Sequence, residues 1–267
     1  MTSKQQEEAL HYFSIHAKEW AKKAISSERD KVNVIQQRNQ YVLKVLEDRS
    51  ETRSMLDVGS GTGDLVCEMA KRGVTAFGVD FAPDMIDIAI KKKEEMQLEM
   101  AHFECCSIFD CTFSDNEFDL ISANGFIEYL SQEEMGDFFD LVQKLLAPQG
   151  SFVLSSRNRL FNIVSMSPFT EGELKGTDME ALIHEAMALA ANVEFSELLA
   201  VNPASLQEPD IKLAKTGVDV KSRFQYTPVQ LMKLLGKRDL KPVELFPIHI
   251  HGVPPAFKNK HPEVHTS

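Results

Sequence analysis

Cations are in deficit in this chain: 29 Lys and Arg stand against 40 Asp and Glu, a formal net charge of -11. Nucleic-acid backbones and anionic bilayers both reward clustered Lys and Arg, so neither is an expected partner. Small neutral or cationic substrates fit better. Long apolar runs are missing too, with nothing approaching the roughly eighteen residues of a membrane span, and the opening Met-Thr-Ser-Lys-Gln-Gln-Glu-Glu has no apolar leader segment. The expectation is a soluble, cytoplasmic chain. Cysteine is scarce, and Cys67, Cys105, Cys106 and Cys111 lack zinc spacing, which predicts four buried, reduced thiols with no catalytic part. Internal repeats and low-complexity segments are absent as well.

What is present suffices for one sizeable core: 267 residues, 43% hydrophobic, enough for a decorated domain or a domain with a lid. Residues 1–50 are polar with helical spacing, placing Leu10, Phe13, Ala17 and Trp20 on one amphipathic helix and Val34, Tyr41, Val42 and Val45 on a second. Over 51–157 short apolar strands (54–58, 75–80, 101–106, 118–123, 150–156) alternate with helices (63–72, 84–96, 132–146), the pattern of a mostly parallel sheet with right-handed crossovers. The fold class is α/β, a doubly wound sheet. Ser131 with Glu134 reads as a capping box, Pro83 and Asp84 open a helix, and Pro148 to Gly150 reads as the turn into a strand. Lys91 to Lys93 reads as a solvated helix face.

The rhythm breaks after Arg157. Residues 158–225 read as an inserted helical lid, with Thr177 and Glu180 as a further capping box and an apolar lining that includes Met166, Phe169, Met187 and Phe224. In 226–267, Thr227 caps a helix that begins at Pro228, and Leu240 to Phe246 reads as a last strand rejoining the core, with a loop-like tail beyond it.

The densest signal is Leu56-Asp57-Val58-Gly59-Ser60-Gly61-Thr62-Gly63-Asp64, a strand running into three alternate glycines, followed by a second apolar strand ending at Asp80. Glycines let a ligand approach the bare backbone, and a carboxylate at the neighbouring strand tip can accept from both ribose hydroxyls. A nucleoside is implied. A dinucleotide fingerprint would need its third glycine where Asp64 stands.

With this spacing the chain resembles the class I S-adenosylmethionine-dependent methyltransferases, in particular the ubiquinone-pathway-like small-molecule members. Phe113-Ser114-Asp115-Asn116-Glu117-Phe118-Asp119 is similar to the family's entry into its fourth strand, and Ser122 to Tyr129 to the segment beside sulfonium and substrate. The resemblance implies S-adenosylmethionine as cofactor, leaving as S-adenosylhomocysteine, and a Rossmann-like methyltransferase fold. It implies cofactor contacts from Asp57, Gly59, Ser60, Gly61 and Gly63 in the loop, Asp80 on the ribose, and Phe81 and Met85 nearby. Ser107 stands where the family often has an acid for the adenine amino group, Ile108 offers a backbone amide to the ring, and Asn124 and Gly125 follow the fourth strand. Arg38, on the helix before the first strand, stands where relatives hold the cofactor's carboxylate. Tyr12 to Trp20 is similar to the helix that caps the substrate pocket.

Methyl transfer is an in-line displacement that needs collinear, dry positioning and, with a hydroxyl acceptor, a base. His16, Glu128, His249 and His251 are the candidates, each with a non-catalytic reading beside it. His249 and His251 have the alternate spacing of a metal pair but no identifiable third ligand, so no metal is expected. Arg157 and Asn158, past the fifth strand, are candidate substrate contacts. The function expected is methylation of an oxygen or nitrogen of a small molecule; the alternatives are a non-catalytic cofactor- or partner-binding module and an RNA methyltransferase.

Overall fold

The structure is a computed structural model and describes residues 4–25, 33–176, 178–206 and 223–248. The chain forms two compact units and passes from the first to the second between Ser156 and Arg157.

The first unit runs α1 (Lys4–Ile25), α2 (Val34–Asp48), β1 (Ser54–Val58), α3 (Asp64–Lys71), β2 (Thr75–Asp80), α4 (Pro83–Met96), β3 (Ala101–Cys105), β4 (Phe118–Asn124), a 3-10 turn Ile127–Tyr129, α5 (Gln132–Leu145) and β5 (Leu146–Ser155). The five strands are parallel in the order β3-β2-β1-β4-β5. β1 and β4 lie side by side although two helices and two strands separate them in sequence, so the winding reverses there and a crevice opens at their carboxyl ends. Both strands are buried almost throughout, as central strands covered on two faces must be.

One core cluster explains why the helices lie where they do. Val42 of α2 and Leu65, Val66, Met69 and Ala70 of α3 close on Met55 and Leu120 of the sheet. α1 packs instead against the start of α4, with Leu10, Phe13, Ala17 and Trp20 around Ala82 and Met85. The Ser131–Glu134 capping box forms as expected, the Ser131 hydroxyl accepting from the Glu134 amide (3.1 Å) and the Glu134 carboxylate from the Ser131 amide (2.8 Å). At Pro148 to Gly150 the structure differs from the expected turn. β5 begins at Leu146 and carries an irregularity there, with Gln149 at φ 67° and the register shifted between Phe118 and Leu120.

The second unit holds a 3-10 turn (Arg159–Ile163), α6 (Pro168–Lys175), α7 (Met179–Ala190), α8 (Phe195–Ala200) and α9 (Pro228–Gly236). Thr177, expected as a helix cap, lies outside the described residues. Thr227 caps α9 in a full capping box with Gln230, and Pro228 takes the first turn. Two readings are corrected. α9 groups with the inserted helices rather than with the sheet, because Val229 and Met232 pack on Leu198 of α8. Leu240 to Phe246 forms no strand, and its Val243 and Phe246 are exposed, so the pattern pairs with no strand among the described residues. No helix among the described residues is long and apolar enough to cross a membrane.

Candidate cofactor and active site

The three glycines after β1 all have positive φ (71°, 52° and 72°), which favours glycine over any residue with a Cβ. The amides of Gly59 and Ser60 both donate to the Val79 carbonyl, at 2.9 and 3.0 Å, and bind the loop to β2. Gly63 has a second constraint. A Cβ there would stand 2.5 Å from Phe103 Cζ and 2.8 Å from Ala89 Cβ, so it performs the close packing that a dinucleotide fingerprint assigns one position later. Beneath it, Lys92 Nζ binds Asp64 Oδ1 (2.7 Å) and the Thr62 carbonyl (2.9 Å), and Thr62 Oγ1 donates to Asp64 Oδ2 (2.6 Å). Lys92 therefore braces the glycine loop against α4. A run of three lysines gave no sign of it, since charge patterning cannot say which lysine turns inward.

Asp80 ends β2 beside this loop. Its Oδ2 accepts from the Gly61 amide and its Oδ1 from the Ala82 amide, both at 2.9 Å, so the loop and the carboxylate fix each other. Each oxygen keeps a further lone pair for a ligand hydroxyl. Burial pushes the Asp80 carboxyl up, while hydrogen bonds from the Ala82, Gly61 and Phe81 amides pull it down. Phe81 is half-buried beside it, and Met85 is buried in the contact with α1. Asp57 lies under the loop at the centre of the sheet. Burial pushes it up to about 7, against a hydrogen bond from the Ser122 hydroxyl and with a further rise from the charge of Asp80.

The other end of the crevice belongs to β4. Gly125 has φ 67°, and a Cβ there would collide with Nη1 of Arg38, so the absent side chain makes room for the guanidinium. Arg38 comes from α2. Burial lowers its pKa, and the charges of Glu128 and Tyr129 raise it. Glu128 is itself buried, on the 3-10 turn after β4. Arg38 Nε, Ser60 Oγ and Asn124 Nδ2 are buried here without a hydrogen-bond partner among the described residues. Such groups are costly in a finished core and appropriate where a polar ligand completes the site.

α1 approaches from the same side. Phe13 meets Tyr129 edge-on at 5.3 Å. One turn further, His16 stacks on Tyr12 at 4.3 Å and its Nδ1 lies 2.9 Å from the Tyr12 carbonyl. A carbonyl only accepts, so Nδ1 carries the proton and Nε2 is the basic nitrogen. Ser107 and Ile108, the other residues expected to contact the cofactor, lie on the turn after β3. Asp110 and Cys111 amides donate to the Ser107 carbonyl (2.9 and 3.2 Å), and Ile108 is buried.

Three of the four cysteines depart from expectation. Cys67 is buried and free, but Cys105 is exposed, and Cys106 and Cys111 form a disulfide. β3 is an edge strand of the sheet and its last two residues, Glu104 and Cys105, are both exposed, which a bare cysteine count does not reveal. His249 and His251 lie outside the described residues. In the second unit, the Asn158 side-chain Oδ1 accepts from the Leu160 amide (3.0 Å), and Arg157 lies over the Phe169 ring at 5.7 Å. Met166 and Met187, expected in a pocket lining, are 62% and 64% exposed, whereas Phe224 is buried.

A family model described as a methyltransferase domain matches residues 49–220, more than half of the chain. The chain belongs to this methyltransferase domain family. The resemblance seen in the glycine loop therefore holds, and with it S-adenosylmethionine as the cofactor and the doubly wound sheet. Among curated relatives, a demethylmenaquinone methyltransferase of Thermus thermophilus is 34% identical over 38% of this chain and 46% of its own length. A ubiquinone biosynthesis O-methyltransferase of Coxiella burnetii is 29% identical over 58% of this chain and 63% of its own. The chain thus spans 46% and 63% of the lengths of these two curated relatives. The fold is shared with a magnesium protoporphyrin IX methyltransferase of Synechocystis PCC 6803 solved with bound SAH, at TM-score 0.58, 12% identity, 92% coverage of this chain and 95% of that one. The buried, unpartnered Arg38 Nε, Ser60 Oγ and Asn124 Nδ2 fit such a cofactor, which brings an amino acid and a nucleoside at opposite ends.

Proposed function

We propose that the protein transfers a methyl group from S-adenosylmethionine to an oxygen or nitrogen of a small molecule. The observation that carries this reading is the pair of groups on either side of the β1–β4 crevice: the buried Asp80 carboxylate and the half-buried Arg38 guanidinium over Gly125. Asp80 would accept from the ribose hydroxyls. Arg38 would take the carboxylate of the methionine end, a pairing that exchanges part of the electrostatic support of Glu128 for a ligand charge. When bound, the cofactor supplies an electrophilic methyl on a sulfonium, and the glycine loop and Asn124 would hold it dry and in line with the acceptor. His16 Nε2 is the base that the described residues favour for a hydroxyl acceptor, because Nδ1 is already committed to Tyr12. Glu128 is better suited to balancing Arg38 than to taking a proton. The names of the two curated relatives support a small-molecule acceptor with an aromatic part.

Asp80→Ala tests the reading. It removes two charge-assisted acceptors, and affinity for S-adenosylmethionine and S-adenosylhomocysteine should fall by about 2 to 4 kcal/mol, roughly 30- to 1000-fold by calorimetry. Unchanged affinity would discard the cofactor placement. Arg38→Ala should weaken both ligands about 10- to 100-fold, yet leave methylthioadenosine, which has no carboxylate, bound as before. Equal losses for all three ligands would make Arg38 a structural residue only.

A further inference from the structure

The Cys106–Cys111 disulfide closes a turn of four residues, Ser107 to Asp110, immediately after β3. That turn is tied to the cofactor site twice. Cys105 pairs in register with Asp80, and the Cys106 amide donates to the Asp80 carbonyl at 3.1 Å. Inside the ring, Ser107 accepts both the Asp110 and Cys111 amides, and Ile108 is buried. Both sulfurs belong to half-buried residues, so small thiols can reach them, unlike Cys67. A carboxylate oxygen of Glu104 and the two sulfurs all lie within 4.8 Å of one another.

We propose that Cys106–Cys111 is a reversible thiol–disulfide modification site that sets how tightly the adenosine end of the cofactor is held. The inference rests on the cofactor reading given above, which puts Ser107 and Ile108 beside the adenine. Opening proceeds by exchange with a glutathione-class thiol. One thiolate attacks a sulfur and breaks the protein S–S bond, forming a mixed disulfide. A second thiolate displaces the protein sulfur, which takes up a proton. Two small thiols leave as one small disulfide, and the protein has gained two S–H groups. The reverse exchange with glutathione disulfide closes the ring. In the closed form the turn is pre-organised for the ligand. In the open form cofactor binding must order it, and affinity falls.

Expected is a 3- to 10-fold weaker affinity for S-adenosylhomocysteine after reduction by a phosphine, with chelator present throughout and in a Cys105→Ser background that prevents disulfide exchange with the exposed thiol. A Cys106→Ser/Cys111→Ser double variant, checked for native circular dichroism, should bind at the weaker level in either buffer. Linkage requires the reciprocal effect: saturating S-adenosylhomocysteine makes the pair harder to reduce in a glutathione buffer by the same factor, about 30 mV for tenfold. That titration needs no variant and stands if the double variant does not fold. Equal affinity in both states, with no shift in the glutathione titration, would overturn the switch and leave the cofactor reading intact. No binding in either state would overturn both.

Discussion

Replacing Arg159 by Met, or Glu173 by Gln, is expected to cost about 3 to 5 kcal/mol of stability in the second unit, the range for breaking a buried ion pair from one side. Arg159 and Glu173 are 2% and 3% exposed and meet in a bidentate pair, Nε to Oε1 at 2.9 Å and Nη2 to Oε2 at 2.8 Å. The third guanidinium nitrogen donates to the Ser205 carbonyl at 2.5 Å. Asn162 bridges Glu173 to Gln225, at 2.9 and 2.7 Å. One network therefore joins the 3-10 turn, α6 and both segments that lead to α9. Either single change leaves a charge or a set of donors buried without its partner. Changing both together to Met and Leu should cost much less, because the desolvation penalty disappears along with the attraction. Chemical denaturation of the two single variants and the double variant gives the coupling, and the loss should respond little to added salt because the pair is shielded from it. Single variants within about 1 kcal/mol of the parent would show that the network does not hold this unit together.

The second large effect is one of pH. Asp57 is pushed up to about 7 in the folded protein, mainly by burial. An unfolded Asp titrates near 3.9. Between those values the unfolded chain has lost the proton and the folded chain keeps it, so stability falls as pH rises through this window, by about 4 kcal/mol at most once Asp57 is ionised. Asp57→Asn removes the titration while keeping an oxygen that can accept from the Ser122 hydroxyl. Denaturation from pH 4 to pH 8 should accordingly show a flatter profile for the variant and a gain above pH 7. An unchanged slope would mean that Asp57 ionises in the fold at its ordinary pH. Asp80, also raised by burial, adds to the same trend in the parent and remains in the variant.

The sequence by itself determined the features whose causes are local. Three alternate glycines after an apolar strand require positive φ and leave a bare backbone. Ser131 with Glu134 and Thr227 with Gln230 satisfy orphaned helix amides within one turn. Strands and helices that alternate over 54–155 leave few topologies, and the parallel sheet with Asp80 beside the glycine loop follows from right-handed crossovers. Only the tertiary structure decided which distant groups meet. Lys92 was one lysine of three until α4 turned it toward Asp64, and Glu173 was one more surface-like acid until α6 buried it on Arg159. Cys106 and Cys111 were scarce thiols until the turn after β3 brought them together. Leu240 to Phe246 shows the same limit from the other side: a strand-like pattern needs an edge to pair with, and hydrogen bonding between strands is a property of two segments that neither can encode alone.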